Sequence, residues 1–236
     1  MNNGIEYDRI LVIAAHPDDI DFTIAGSVAL CARAGKTVGY CIATSGDKGF
    51  DEDLPVEERM RIREEEQRAA AAVVCVEEVH FLRKPDGELR NTPGLRRAIV
   101  AVIRKFKPDV LITSYPSRAL AGGELSTGHP DHIAAGEAAL SAVFPSARDR
   151  LTFPELIGGG LEPHKVKEVL IMSRGYGANR WIEVTDTIET SIEALKQHRS
   201  QVSPESAETA LPRSRREAGK AKGILYAESF KSFRFG

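Results

Sequence analysis

Residues 9–15 (RILVIAA) form a short, nearly continuous apolar run, the pattern of a strand buried on both faces of a parallel sheet. Residues 22–34 follow with helical spacing and stop at Gly35, a residue suited to a helix C-terminus. A second apolar run, 37–43, leads into the loop Thr44-Ser45-Gly46-Asp47-Lys48-Gly49. Pro55 opens a predicted helix reaching Val74, dense in charge early and alanine-rich late. Residues 79–82 predict a brief strand, Lys84-Pro85-Asp86-Gly87 a turn, 95–106 a helix and 110–114 another apolar strand. Residues 115–128 contain Pro116, Gly122 and Gly123 without a period, which marks a working loop; a helix follows over 130–143. The last third predicts strands at 168–172 and 181–184 and a helix at 188–198. The polar stretch 202–219 reads as a loop followed by a last helix.

Strands alternating with helices predict a three-layer α/β fold: a mostly parallel sheet, helices on both faces and right-handed crossovers. In such sheets ligands sit beyond the carboxyl ends of the strands, at the switch point of strand order. The length of 236 residues suits one domain over 1–236, with a core at 8–201 and a C-terminal helical extension at 202–236. The charge of −2 offers no basic excess for nucleic acid. No apolar stretch approaches the roughly 18 residues of a membrane span. The opening MNNGIEY lacks the basic segment and apolar run of a signal peptide. Cys31, Cys41 and Cys75 lack CxxC spacing and suit free thiols in a reducing, cytoplasmic setting. Association into a homo-oligomer is left open.

Chemistry concentrates at two corners. His16-Pro17-Asp18-Asp19 follows the first strand, and His129-Pro130-Asp131-His132 follows the loop after the fourth. Pro at the first helical position and acids in the first turn also describe two ordinary helix starts. Both corners, however, fall at strand C-termini, and residues three apart on a helical turn point the same way. Two imidazoles and a carboxylate make a three-ligand site for a divalent metal with open positions. The most economical trio is His16, Asp19 and His132. Asp18 is then free to take a proton, and His129 to donate to an oxyanion, with Asp131 near enough to orient its ring. Spacing alone does not assign which His binds and which donates.

With Ala15 preceding the first corner, the pair of motifs resembles the phosphatidylinositol-glycan class L-like (LmbE-like) de-N-acetylases. The resemblance implies a Rossmann-like fold and zinc-dependent hydrolysis of N-acetylglucosamine-type amides in sugars or sugar conjugates. It implies His16, Asp19 and His132 as zinc ligands, Asp18 as general base, and His129 as the group stabilising the attacked carbonyl. The Thr44-Ser45-Gly46-Asp47 turn, Arg63-Glu64-Glu65-Glu66, Pro85-Asp86-Gly87 and His198-Arg199-Ser200-Gln201 also resemble family segments. Of these, Arg63, Ser45 and Asp47 are candidate substrate contacts. The chain departs from the family at Ile20, where Glu is common, and at Cys75, where Gly is common. Thr127 stands where some sugar-thiol pathway members carry an aromatic.

Other readings are weighed on the same residues. Two His and one carboxylate also describe non-haem Fe(II) oxygenases, so Fe²⁺ or another divalent metal is an alternative to Zn²⁺. Those enzymes usually sit on all-β barrels, unlike this alternating chain. A nucleotide-binding module needs a Gly-rich first turn, and His-Pro-Asp-Asp stands there instead. A non-catalytic family member is the remaining alternative, against which stand all five metal and catalytic candidates. Arg63 also fits a solvated, salt-bridged helix face, and Asp47 an ordinary turn. His198 with Gln201 fits closure over the site. Trp181 and Phe22 read as core, and His80 and His164 as structural or surface residues.

Overall fold

The computed structural model describes residues 4–118, 120–121, 124–125, 128–173, 177–220 and 222–235. Its strands are β1 (Arg9–Ala14), β2 (Thr37–Thr44), β3 (Glu78–Lys84), β4 (Val110–Thr113), β5 (Leu120–Ala121), β6 (Glu124–Leu125), β7 (Glu168–Met172), β8 (Arg180–Glu183) and β9 (Ala227–Arg234). Its helices are α1 (Asp19–Thr23), α2 (Ala25–Arg33), α3 (Val56–Val73), α4 (Pro93–Phe106), α5 (Pro130–Ser141), α6 (Glu155–Gly158), α7 (Ile188–Leu195) and α8 (Pro204–Lys220). Seven strands pair in the order β3-β2-β1-β4-β7-β9-β8, while β5 and β6 form a small separate hairpin. Strands β3, β2, β1, β4 and β7 run parallel, and β9 pairs antiparallel to both β7 and β8. The expected α/β architecture is therefore present, and strand order switches direction between β1 and β4.

The period-two alternation of β1 builds both layers of the core. Ile10, Val12 and Ala14 join one apolar cluster with Val28 and Ala70, on α2 and α3. Leu11 and Ile13 join the other with Ile99 and Ala138, on α4 and α5. Because β1 is central and covered on both faces, its polar termini are the exits through which chemistry can reach solvent. Among the described residues no helix is long and apolar enough to cross a membrane.

Three expectations are corrected. The helix read over 22–34 is two helices, starting at Asp19 and breaking at Ile24, where φ is −141°. The break has a polar cause: buried Glu228 accepts from the first-turn amides of α2, Gly26 N at 3.1 Å and Ser27 N at 2.8 Å. Residues from Pro204 form one 17-residue helix without a preceding long loop, despite Pro212 inside it. The stretch 202–236 is not a helical extension, because β9 inserts between β7 and β8. Of the loop expected over 115–128, positions 119, 122, 123, 126 and 127 lie outside the described residues, Thr127 among them.

Glu228 also takes Arg215 Nε at 3.1 Å, joining α8 and β9 to α2 in a buried ion pair. Glu228→Ala removes the acceptor for all three donors. Breaking a buried pair by deleting one partner typically costs about 3–5 kcal/mol. A loss of that size in urea unfolding is expected, without change in metal content.

Candidate active site

The first corner is shaped by backbone as much as by side chains. Beyond β1 the chain turns at Pro17, and Asp18 adopts φ 90°, ψ −29°, a left-handed conformation that favours glycine and is strained for Asp. Ala15 N and His16 N both donate to Asp19 Oδ2, at 3.1 and 2.9 Å. This folds the Asp19 carboxylate back over the end of β1. The second corner has the local logic expected: His129 is the N-cap of α5, and its Nδ1 accepts from Asp131 N at 3.2 Å.

The corners meet. His16 Nδ1 lies 3.2 Å from His132 Nε2, and His132 Nε2 lies 2.9 Å from Asp19 Oδ1. The other Asp19 oxygen, Oδ2, lies 3.7 Å from His16 Nδ1. Ligand atoms about 2.0–2.1 Å from a tetrahedral zinc stand roughly 3.4 Å apart, so this triangle fits one divalent cation. His129 stands beside it, its ring centroid 4.7 Å from that of His16 and 5.2 Å from that of His132. Ring nitrogens of all three imidazoles fall within 4.8 Å of one another.

The partners of each ring fix its tautomer. His16 Nε2 faces Asp86 Oδ1 at 3.1 Å and Asp131 Oδ2 at 3.2 Å. With the Nε2 proton directed at those carboxylates, Nδ1 is the ring nitrogen left facing the triangle. His129 is the complement: Nδ1 is spent accepting, so Nε2 carries the proton and is a donor. Burial lowers the His129 pKa, and neighbouring His16 and His132 lower it further, which favours a neutral imidazole at pH 7.

Here the role expected of Asp131 changes. Its carboxylate does not orient His129. It is fully buried and accepts from Gly87 N at 2.7 Å and Leu89 N at 3.1 Å while bracing His16. The main-chain N–H of Asp131 performs the orienting instead. Asp86, read from sequence as part of a turn that resembles a family segment and given no role, is the second brace, with Oδ2 accepting from Lys48 N at 2.8 Å. Its PDG signal looks like any Asx-rich turn, and its partner lies 70 positions away.

Carboxylates dominate the electrostatics. Burial disfavours charge on His16, yet hydrogen bonds to Asp131, Asp19 and Asp86 outweigh it and push the pKa to about 12. Burial would raise Asp19, but His132 and His16 hold its carboxyl well below the usual range. Such surroundings favour positive charge at the triangle, which is what a divalent cation brings.

Asp18 is held differently. Arg63 Nη2 donates to Asp18 Oδ2 at 3.1 Å and to Pro17 O at 2.7 Å. Burial nonetheless raises the Asp18 carboxyl to about 6, against the lowering influence of Arg63. Arg63 is therefore no solvated helix face: it is 3% exposed, and among the described residues its Nε and Nη1 have no partner. Gly46 makes room for it. At φ +65° a Cβ there would lie 2.9 Å from Arg63 Nε and 3.1 Å from Pro17 Cδ.

Of the other candidates, Ser45 is buried and its hydroxyl is spent on Glu64 Oε1 at 2.8 Å, so it braces α3. Asp47 is half-buried on the loop after β2. His198 does not close over the site. It is fully buried, and its Nε2 meets Asp21 Oδ2 at 2.9 Å. Ser200 and Gln201 tie the same segment to Glu66 and to Gly49 O.

The sequence model described as PIG-L: GlcNAc-PI de-N-acetylase matches residues 11–143. The chain is 30% identical over 227 residues to the diacetylchitobiose deacetylase of Thermococcus kodakarensis, covering 94% of this chain and 82% of that protein. It is 26% identical over 205 residues to a probable N-acetyl-alpha-D-glucosaminyl L-malate deacetylase 2 of Bacillus anthracis, with 82% and 81% coverage. Among solved structures, N,N'-diacetylchitobiose deacetylase from Pyrococcus horikoshii, complexed with its inhibitor MPG, superposes with a TM-score of 0.87 at 25% identity. That superposition covers 97% of this chain and 85% of the other. The family match spans more than half of the chain and contains both residues of the braced pair His16 and Asp131; the chain belongs to the GlcNAc-PI de-N-acetylase (PIG-L) family.

Proposed function

We propose that this protein hydrolyses the N-acetyl group of an N-acetylglucosamine-type amino sugar or sugar conjugate, releasing acetate and a free amine. The observation carrying this reading is the triangle of His16 Nδ1, His132 Nε2 and Asp19 Oδ1, with Asp18 and His129 beside it. His16, Asp19 and His132 would hold the metal, Zn²⁺ being suited to two imidazoles and a carboxylate. When bound, the metal supplies Lewis acidity that makes a water molecule ionisable near neutral pH.

The chain's own groups divide the remaining work. Asp18 takes the proton of the attacking water at its carboxylate. His129 donates a hydrogen bond from Nε2 to the carbonyl oxygen as negative charge develops there; one such donor is worth about 3–4 kcal/mol. As the C–N bond breaks, the leaving amine gains the proton that Asp18 took from the water, which returns Asp18 to its carboxylate form. Arg63, buried beside Asp18, holds that carboxylate in place from Nη2. The relatives described above carry the names of deacetylases of diacetylchitobiose and of N-acetyl-alpha-D-glucosaminyl L-malate, which supports that substrate class.

A primary-amine release assay across N-acetylated mono- and disaccharides, with metal-stripped and Zn²⁺-restored protein, tests the reading. Silence on every substrate, or activity indifferent to metal removal, would overturn it. Asp18→Asn is expected to lower kcat by about 10²–10⁴-fold while retaining bound zinc by elemental analysis. Asp131→Ala removes a brace of His16, and zinc affinity in a chelator competition should fall about 10–100-fold.

The pH dependence follows from the same geometry. The base works as a carboxylate, so kcat/KM falls as pH drops through the Asp18 pKa. That pKa is about 6 without metal, and a bound cation draws it lower, placing the acid limb at or below pH 6. Arg63→Met removes a positive charge that stabilises the carboxylate. The limb in a pH–rate profile should therefore move upward relative to wild type.

A further inference from the structure

A buried polar chain behind Asp18 is not used by the reaction described above. Asp18 N donates to Gln67 Oε1 at 3.0 Å. Gln67 Nε2 donates to Asp21 Oδ2 at 2.9 Å, and His198 Nε2 meets the same oxygen at 2.9 Å. Gln67, Asp21 and His198 are all fully buried. We propose that Gln67 is a positioning residue for the general base: it holds the Asp18 main chain in its left-handed conformation, and the Asp21–His198 pair fixes which way the Gln67 amide points. This inference rests on the reading of Asp18 as the base.

The argument is one of donors and acceptors. An amide side chain offers a carbonyl oxygen and an NH₂ that can exchange places by a rotation. Only one orientation presents Oε1 to an N–H. Gln67 Nε2 donates to Asp21 Oδ2, and Oε1 is thereby turned to Asp18 N. His198 Nε2 stands against the same Asp21 oxygen at 2.9 Å. At the far end, Asp18 sits at φ 90°, a conformation that persists only where surrounding contacts over-determine it. Three contacts do so: Gln67 Oε1 on the amide, Phe22 N on the carbonyl oxygen and Arg63 on the carboxylate. Relaxation of φ would swing the Asp18 side chain away from the triangle formed by its neighbour Asp19.

The test begins with Gln67→Met, which conserves volume and removes both hydrogen bonds. Misplacement of a reacting group by about 1 Å can lower a rate by 10²-fold. In zinc-loaded protein kcat is expected to fall about 10–100-fold, with KM within about threefold of wild type and zinc stoichiometry unchanged. In metal-free protein, amide hydrogen exchange followed by NMR reads the contact without any activity. The Asp18 amide should exchange at least about tenfold faster in Gln67→Met, because its acceptor is gone.

A wild-type kcat together with unchanged Asp18 protection would overturn the proposal. If the wild type releases no amine from any N-acetylated sugar, the function reading fails, and exchange at Asp18 alone decides the positioning role. Should Gln67→Met not fold, a swap decides. Gln67→Glu alone opposes two carboxylates and should lose kcat. Gln67→Glu with Asp21→Asn restores a donor facing an acceptor and should recover most of it. A double variant no better than the single would overturn the proposal.

Discussion

Three carboxylates converge on one imidazole, and the rest of the site is arranged around that concentration of negative charge. Asp86 and Asp131 face His16 Nε2 at 3.1 and 3.2 Å, while Asp19 lies across from Nδ1 at 3.7 Å. Grouped carboxylates repel unless each has its own donors. Here main-chain amides supply them: Ala15 and His16 to Asp19, Lys48 to Asp86, Gly87 and Leu89 to Asp131. Those amides come from the segments that follow β1, β2 and β3, so ligand geometry and loop geometry determine one another. A parallel sheet is what makes this possible, since it delivers several strand ends to one rim. With β2 and β4 flanking β1, the first corner is central on that rim, and α5 brings in the second.

The partners of His16 and His129 separate tasks that identical side chains would otherwise share. His16 is oriented by acceptors and offers a lone pair; His129 is oriented by a donor and offers a proton. The difference arises from one residue, Asp131. Its carboxylate serves His16 and its main-chain N–H serves His129, so a single aspartate at the start of α5 sets both rings. Replacing its side chain takes the brace from His16 and leaves in place the main-chain N–H that orients His129.

What could be read from the sequence was whatever is local. Apolar runs such as 9–15 and the Pro-acid helix starts carry their meaning within a few residues, so β1, β2, α5 and both corners were legible. The identity of the corner residues as a site was legible because two rare clusters occurred at matching strand ends. Long-range partnerships were not. Asp86 has the appearance of a turn residue, Asp131 could as well have served His129, and nothing local couples Asp21 to His198 across 177 positions. β9 was missed because its alternation places a charged residue, Glu228, on the buried side. That burial makes sense only once the N-terminus of α2 and Arg215 are known to need a carboxylate there.

Helix α3 shows how such misreadings arise. In an amphipathic helix the polar face meets solvent and the apolar face meets the core. The buried residues of α3 are Arg63, Glu64, Gln67, Ala70 and Ala71, one stripe at i, i+4 and i+7 spacing that is polar in its first half and apolar in its second. The alanines pack on the sheet; the polar half does not reach solvent but lies behind the Asp18 corner. There Arg63 takes the Asp18 carboxylate, Gln67 its amide, and Glu64 fixes Ser45 and Arg83. Read by hydropathy, that half belongs outside. Buried polar networks are unfavourable unless every member is satisfied, and a chain that keeps one against its own hydrophobic pattern has placed stability second to the geometry of a neighbouring group. The polar half of the stripe is thus organised around the Asp18 corner, as the His16 ring is organised by Asp86 and Asp131.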